Sequence, residues 1–231
     1  MITTRLYGRL GNQLFQIATT IGIAKKYNTE ALFQEPSGFP KYFFNLPMLG
    51  NEKISTTYNE KCHNYQEIPF IRNMELNGYF QTEKYFINVR KEILEKFGTT
   101  KSLINKTSIH IRRGDYLLYP TKHPLPPFEY YTNNINTNKE YIIFSDDIPW
   151  CKQAFKNYNN IEYSENKSEL EDLELMMRCK NNIIANSSFS WWGAWLNQNE
   201  NKIVITPKVW FGPDNSHLNS SDLILENWIK K

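Results

Sequence analysis

From Ser108 onward the sequence alternates short apolar runs with amphipathic stretches, and no other feature restricts its fold so tightly. SIHIR, YIIFS, IEYS, NNIIAN and KIVIT read as strands. Between them PFEYYTNNI, IPWCKQAFKNY, SELEDLELMMRCK and SFSWWGAWLN read as helices, the third opened by a capping box from Ser168 to Glu171. Strands separated by short helices pair through crossovers, so this half is expected to build a parallel α/β sheet.

The first half is less regular. ITTRLYG reads as a short strand that stops at Gly8. In NQLFQIATTIGIAKKYN the residues Leu14, Ile17, Ile21 and Ala24 recur at helical spacing, with Asn12 as the expected N-cap. EPSGFPKYFFNLPMLGN is punctuated as a loop, and KISTTYNEK and MELNGYF as strands. TEKYFINVRKEILEKFG reads as one helix from a Thr82 cap to a Gly98 stop, and TTKSLINKT as a patternless linker. With 231 residues the chain can bury a substantial core. The expected organisation is two α/β halves, residues 1–100 and 101–231, with a donor cleft between them and a C-terminal helix packed back on the first.

Composition removes several classes of function. The net charge is +3 with a pI of about 8.6, and no basic stripe marks a nucleic-acid footprint. Cys62, Cys151 and Cys179 are odd in number and widely spaced. They match neither a zinc pattern nor a disulfide framework, so a reducing compartment is the simpler reading. No apolar run is long enough to span a bilayer, and no signal peptide precedes the first strand.

In open parallel sheets, ligands bind beyond the carboxyl ends of the strands. Those positions hold GRLGNQ, RRGDY, SDD and NSSFS. Glycines let a backbone approach a phosphate, and helix N-termini present free N–H groups to an anion. The Arg pair is the most pointed feature, because the chain has seven Arg against twenty Lys. A guanidinium can grip two phosphate oxygens with a planar fork, whereas Lys offers a point charge. Two fixed cations would stabilise a departing diphosphate more in the transition state than in the ground state. The competing structural reading is a salt bridge to Asp115 or Asp146. Trp191, Trp192 and Trp195 have helical spacing and are expected in the core rather than as a sugar platform.

Several of these segments are long enough to compare with a known family. GRLGNQLFQ resembles the opening G-x-L-G-N-Q-x-F-Q of the α-1,2-fucosyltransferases. LNGYFQTEKYF resembles their L-x-G-Y-x-Q-S-x-K-Y-F segment, with Thr82 replacing the commoner Ser. HIRRGDY matches their signature H-x-R-R-G-D-Y, FSDDIPWCK resembles their F-S-D-D segment, and NNIIANSSFSWWGAWLN is similar to their N-I-I-A-N-S-T-F-S-W-W-G-A-W-L. The resemblance runs from about Gly8 to Pro207.

The resemblance implies a GT-B-like fold of two Rossmann-like halves. It also implies inverting transfer of L-fucose from GDP-β-L-fucose to the 2-hydroxyl of a terminal galactose. Arg112 and Arg113 would hold the donor diphosphate. His110 would lie near the guanosine, and Asp172 would accept from guanine. Asn186, Ser187, Ser188, Phe189 and Ser190 would line the phosphate and base pocket, with Asp146 beside them. Gly11, Asn12 and Gln13 would face the diphosphate or fucose from the other half. The implied partners are GDP-fucose and a galactose-terminated glycan, with no cofactor and no nucleic acid. No metal is expected, since the acids of SDD are adjacent rather than spaced as D-x-D. Asp115 is the first candidate for the base; it could instead orient Arg112 or Arg113, or the departing diphosphate could take the proton. Another GDP-sugar, another linkage, or an inactive GDP- or glycan-binding module are the alternatives. Two features depart from familiar members. The chain is short between LGNQ and NGYF, and the motif begins almost at residue 1 without a membrane anchor. The latter suggests a cytoplasmic form, with peripheral membrane association left open.

Overall fold

The structure, a computed structural model, describes residues 1–34 and 46–231. The loop expected around Pro36 and Phe43 therefore lies mostly outside the described residues. The chain divides into two compact units: Met1–Ile93 with Asn219–Leu223, and Leu94–Leu218 with Ile224–Lys231.

The first unit contains β1 (Ile2–Thr4), α1 (Leu10–Lys26), β2 (Ala31–Phe33), β3 (Thr56–Asn59) and β4 (Met74–Asn77). Its sheet runs β2-β1-β4-β3 with every pair parallel. Leu14, Phe15 and Ile17 of α1 are buried in its core.

Helix α1 starts earlier than its sequence suggests. Arg9, not Asn12, is the N-cap, and the Arg9 carbonyl accepts from both Asn12 N and Gln13 N. Gly8 reverses the chain at φ +78°, and a β-carbon there would lie 2.7 Å from Asn12 Nδ2. That turn consumes the residues that would otherwise precede a cap at Asn12.

The helix expected from Thr82 is interrupted. Two 3-10 turns, Glu83–Tyr85 and Ile87–Val89, precede α2 (Arg90–Phe97). Phe86 leaves helical geometry at φ −138°, so that Tyr85 and Phe86 are both buried. Gly22 of α1 makes room for them, since a β-carbon there would stand 2.2 Å from the Tyr85 carbonyl. Thr82 still caps, accepting from Lys84 N, and Gly98 N still donates to the Leu94 carbonyl.

After α2 the second unit contains β5 (Ile104–Ile111), α3 (Phe128–Thr132), β6 (Tyr141–Ser145), α4 (Ile148–Ala154) and β7 (Ile161–Tyr163). It continues with α5 (Glu169–Arg178), β8 (Cys179–Ile183), α6 (Ser188–Leu196), β9 (Val204–Thr206) and β10 (Ile229–Lys230). The sheet order is β10-β9-β8-β5-β6-β7, again wholly parallel. Successive residues of β6 serve opposite faces. Tyr141 and Ile143 pack with Ile109, Tyr130, Tyr131 and Phe155, whereas Ile142 and Phe144 pack with Met176 and Cys179. Burial on both faces explains why YIIFS is an unbroken apolar run.

Strand β5 begins at Ile104, inside the stretch that reads as a linker. Its first residues pair with β8, and this register supplies the order that their composition does not. The Ser168–Glu171 capping box is formed. The three tryptophans of α6 are fully buried, with Trp191 and Trp195 stacked at 6.1 Å. Gly193 gives α5 its approach, because a β-carbon would meet Met176 at 2.9 Å.

No C-terminal helix forms. Trp228 is buried while Ile229 is exposed, an alternation that suits extended chain, and Ile229 pairs with Ile205 of β9. The segment that joins the first unit is Asn219–Leu223, where Asp222 accepts from Tyr65 N and pairs with Lys84.

Candidate functional site

Strand β5 lies between β8 and β6, and its C-terminal end delivers Arg112 and Arg113 to the rim of the second sheet. Arg112 is held by two carboxylates: Nη2 to Asp115 Oδ1 at 2.5 Å and Nη1 to Asp146 Oδ2 at 2.8 Å. Arg113 donates from Nε to Asp147 Oδ2 at 3.0 Å, and its guanidinium lies 3.8 Å from the Trp150 ring centroid. The Arg113 backbone N–H reaches Asp146 Oδ1 at 2.9 Å. Asp147 also caps α4 by accepting from Trp150 N. The guanidinium planes are therefore fixed before any ligand arrives.

The charge balance matters. Two guanidiniums face three carboxylates, so the cluster is anionic by one charge as it stands. An entering anion would have to exchange places with a carboxylate or use guanidinium N–H groups not already spent. Each guanidinium carries five N–H groups, of which Arg112 spends two and Arg113 one on these carboxylates, so both routes are available.

His110 precedes the pair and is buried, with its ring 5.6 Å from that of Phe189. Burial, reinforced by the Arg112 charge, drives its pKa down to about 3, so it is neutral across the physiological range. Its Nδ1 is buried without a hydrogen-bond partner among the described residues. Asp172, in the first turn of α5, accepts from Ser164 Oγ at 2.6 Å, just past the end of β7. Burial raises its carboxyl pKa.

The loop between β8 and α6 is tied down. Asn186 Nδ2 donates to the Pro124 and Trp210 carbonyls, and the Asn186 carbonyl accepts from the Tyr116 hydroxyl at 2.9 Å. Asn186 Oδ1 is buried without a partner among the described residues. Ser187 and Ser190 are buried, and Ser190 Oγ turns back to the Ser187 carbonyl. Ser188 and Phe189 open α6 and are partly exposed. His110, Arg112, Arg113, Asp115, Asp146, Asp172 and residues 186–190 thus gather at the C-terminal ends of four neighbouring strands.

Gly11, Asn12 and Gln13 belong to the first unit. Gln13 Nε2 donates to the Gly8 carbonyl at 3.0 Å, and Asn12 Oδ1 accepts from Gln81 Nε2 at 2.8 Å. Both amides brace the turn around Gly8.

Trp150, Tyr116 and Asp147 have no individual role in the sequence reading, although each lies within a quoted motif. Tyr116 stacks on His123 at 4.8 Å and stands below the Arg112 guanidinium. Their motif positions marked them, but which cation each would contact depends on strand order.

A model of glycosyl transferase family 11 matches residues 42–231. The chain belongs to that family. The family 11 chain is 44% identical to the O-antigen biosynthesis glycosyltransferase WbnK of Escherichia coli, covering 97% of this chain and 98% of that one. It is 30% identical to an α-1,2-colitosyltransferase of Escherichia coli, with 100% and 98% covered. Galactoside 2-α-L-fucosyltransferase Sec1 of Mus musculus is 23% identical over 85% of this chain and 64% of its own. The span aligned with WbnK, 301 residues, exceeds the 231 of this chain, so that relative carries additional segments within a shared frame. Among solved structures, POFUT1 in complex with GDP-fucose superposes with a TM-score of 0.51 at 11% identity, covering 89% of this chain and 97% of that one. The family 11 chain is thus an α/β protein with the GT-B-like fold and two parallel-sheet units. Among the described residues, no helix is long and apolar enough to cross a membrane.

Proposed function

We propose that this family 11 glycosyltransferase moves L-fucose from GDP-β-L-fucose to the 2-hydroxyl of a terminal galactose, with inversion and without a metal ion. The observation that carries the reading is the Arg112–Arg113 pair, oriented by Asp115, Asp146, Asp147 and Trp150 at the end of a central strand. Oriented guanidiniums can stabilise the charge that gathers on GDP as the sugar–oxygen bond breaks. Neutral His110 and the Phe189 ring offer a surface for the guanosine, and Asp172 an acceptor for guanine N1–H and N2–H. In this scheme Asp115 positions Arg112, and the departing diphosphate can receive the acceptor proton.

A second donor is favoured by a specific observation, the full-length match to a colitosyltransferase. Colitose is fucose without its 3-hydroxyl. A site that hydrogen-bonds this hydroxyl would reject colitose strongly, and an apolar site would not.

One experiment tests the reading. The protein is incubated with GDP-fucose, GDP-colitose or GDP-mannose and a panel of galactose-ended glycans, with and without chelator, and the product linkage is mapped by NMR. Fucose joined α-1,2 to galactose, undiminished by chelator, is the expected product. GDP binding without transfer would point to an inactive module, and activity restored only by manganese would overturn the metal-free mechanism.

A further inference from the structure

The C-terminal edge of the first unit's sheet carries a second group of residues with no part in the scheme above. Glu60 follows β3, and its carboxylate enters beneath the turn after β4. Oε2 accepts from Tyr79 N at 2.7 Å and Oε1 from Phe80 N at 2.9 Å. Gly78 permits this, since a β-carbon there would stand 2.3 Å from Glu60 Cβ. Phe80 is held at φ +51° although it is not glycine and is fully buried. Its ring meets Tyr85 edge-on at 5.5 Å. Left-handed backbone at a bulky residue is costly, and such strain gathers at ligand sites. The same turn presents Tyr79, a residue 37% exposed, whose ring lies 5.1 Å from that of Tyr7, beyond the end of β1.

We propose that Tyr7, Glu60 and Tyr79 form the docking surface for the acceptor saccharide, a neutral galactose-ended glycan; this rests on the transfer reaction proposed above. A sugar presents a face of C–H groups to an aromatic ring and hydroxyl donors to a carboxylate. Each oxygen of Glu60 takes one backbone N–H, which leaves each a further lone pair. Burial raises the Glu60 pKa; burial, then the neighbouring Tyr79 and the Glu60 carboxylate, push the Tyr7 phenol up to about 12. A partly buried carboxylate is an expensive way to hold a turn that an amide or hydroxyl could hold, unless its acceptor capacity is also used. Negative charge at this edge disfavours a nucleotide phosphate, whereas a neutral polyol can donate hydroxyl hydrogens to Glu60 and lay its C–H face on the Tyr79 ring.

Tyr79→Ala isolates the ring, because Glu60 uses only the Tyr79 backbone N–H. Lactose and N-acetyllactosamine are titrated into the full chain saturated with GDP, with binding followed by saturation-transfer NMR and turnover by steady-state kinetics. Tyr79→Ala should raise the acceptor dissociation constant and KM by about tenfold, with the GDP dissociation constant and thermal midpoint unchanged. Glu60→Gln should weaken saccharide binding as well, and a matching fall in thermal midpoint would mark the part due to the turn. Transfer to galactosides with wild-type acceptor binding in Tyr79→Ala would overturn the docking surface while leaving the reaction intact. Saccharide binding lost in Tyr79→Ala, in a protein that transfers no sugar, would uphold the surface and overturn the reaction. Absence of saccharide binding by the wild-type chain would overturn both.

Discussion

The α-carbon of Gly114 faces the Asp146 carboxylate so closely that a β-carbon would stand 2.4 Å from Oδ2. That carboxylate accepts from both arginines, from Arg112 Nη1 and from the Arg113 backbone N–H. The missing side chain at Gly114 thus leaves room for the carboxylate that holds the Arg112 guanidinium and the Arg113 backbone just before it.

Gly114→Ala should displace Asp146, destabilise the protein by about 1–3 kcal/mol and reduce turnover by roughly tenfold or more. Chemical denaturation and kcat measure the two effects. If the loss runs through Asp146, Gly114→Ala combined with Asp146→Asn should cost less than the two single changes added together.

Arg112→Lys and Arg113→Lys keep the charge and remove the fork. Lysine cannot span Asp115 and Asp146 while presenting a planar pair of donors. Each change should lower kcat with GDP-fucose by roughly 10²–10³-fold, by analogy with loss of a preorganised oxyanion donor. Wild-type turnover in the double variant would remove the Arg pair from the reaction.

Asp172 carries the proposed discrimination between guanine and adenine. Asp172→Ala should weaken GDP by roughly 10–100-fold and narrow its advantage over ADP, because it leaves guanine N1–H and N2–H without their acceptor. Calorimetric titration with the two nucleotides reads this directly, and an unchanged GDP/ADP ratio would place guanine recognition elsewhere.

Acid should destabilise the fold through its buried histidines. Burial depresses His110 to about 3 and His63 to about 4, and it lowers His123 as well. An unfolded histidine titrates near ~6.5, so below that pH the unfolded chain binds protons that the native chain refuses. This stability is present in full above ~6.5 and falls with acidification, by up to about 1.4 kcal/mol per pH unit for each of the buried His110 and His63. Glu60 and Asp172, raised by burial, act in the opposite sense. Urea unfolding at pH 7, 6 and 5 should show the decline, and His110→Gln should make it shallower.

Much of the second unit was legible because its signals are local. A capping box spans four residues, so Ser168 and Glu171 marked the start of α5 without help from the fold. Apolar runs between helices located β6 and β8. The misread elements share a different cause. Asn12 is a good cap by type, but Gln81 takes its side-chain oxygen from across the unit. The helix expected from Thr82 breaks where Gly22, more than sixty residues earlier, admits the Tyr85–Phe86 backbone. The terminal segment became a strand because β9 offered an edge to pair with.

The residues of the candidate site were named by sequence, and so was an ion pair from the Arg pair to Asp115 or Asp146, which Arg112 makes with both; their other relations were not. Arg112 and Arg113 stand at a strand end in any parallel arrangement of this chain. Asp147 lies 34 positions from Arg113, and that pairing exists only because β6 lies beside β5. Glu60 attracted no notice in the sequence, since a lone glutamate after a short polar strand looks like solvated surface.

The sequence by itself determined the parallel α/β class, the family, and which residues stand at the strand ends. Hydrophobic period and motif identity are carried by neighbouring residues and survive without tertiary contacts. Tertiary structure alone decided that three carboxylates clamp the Arg pair and that a glutamate lies under the Tyr79–Phe80 turn. Such pairings depend on burial and on the order of strands, and neither exists until distant segments have packed together.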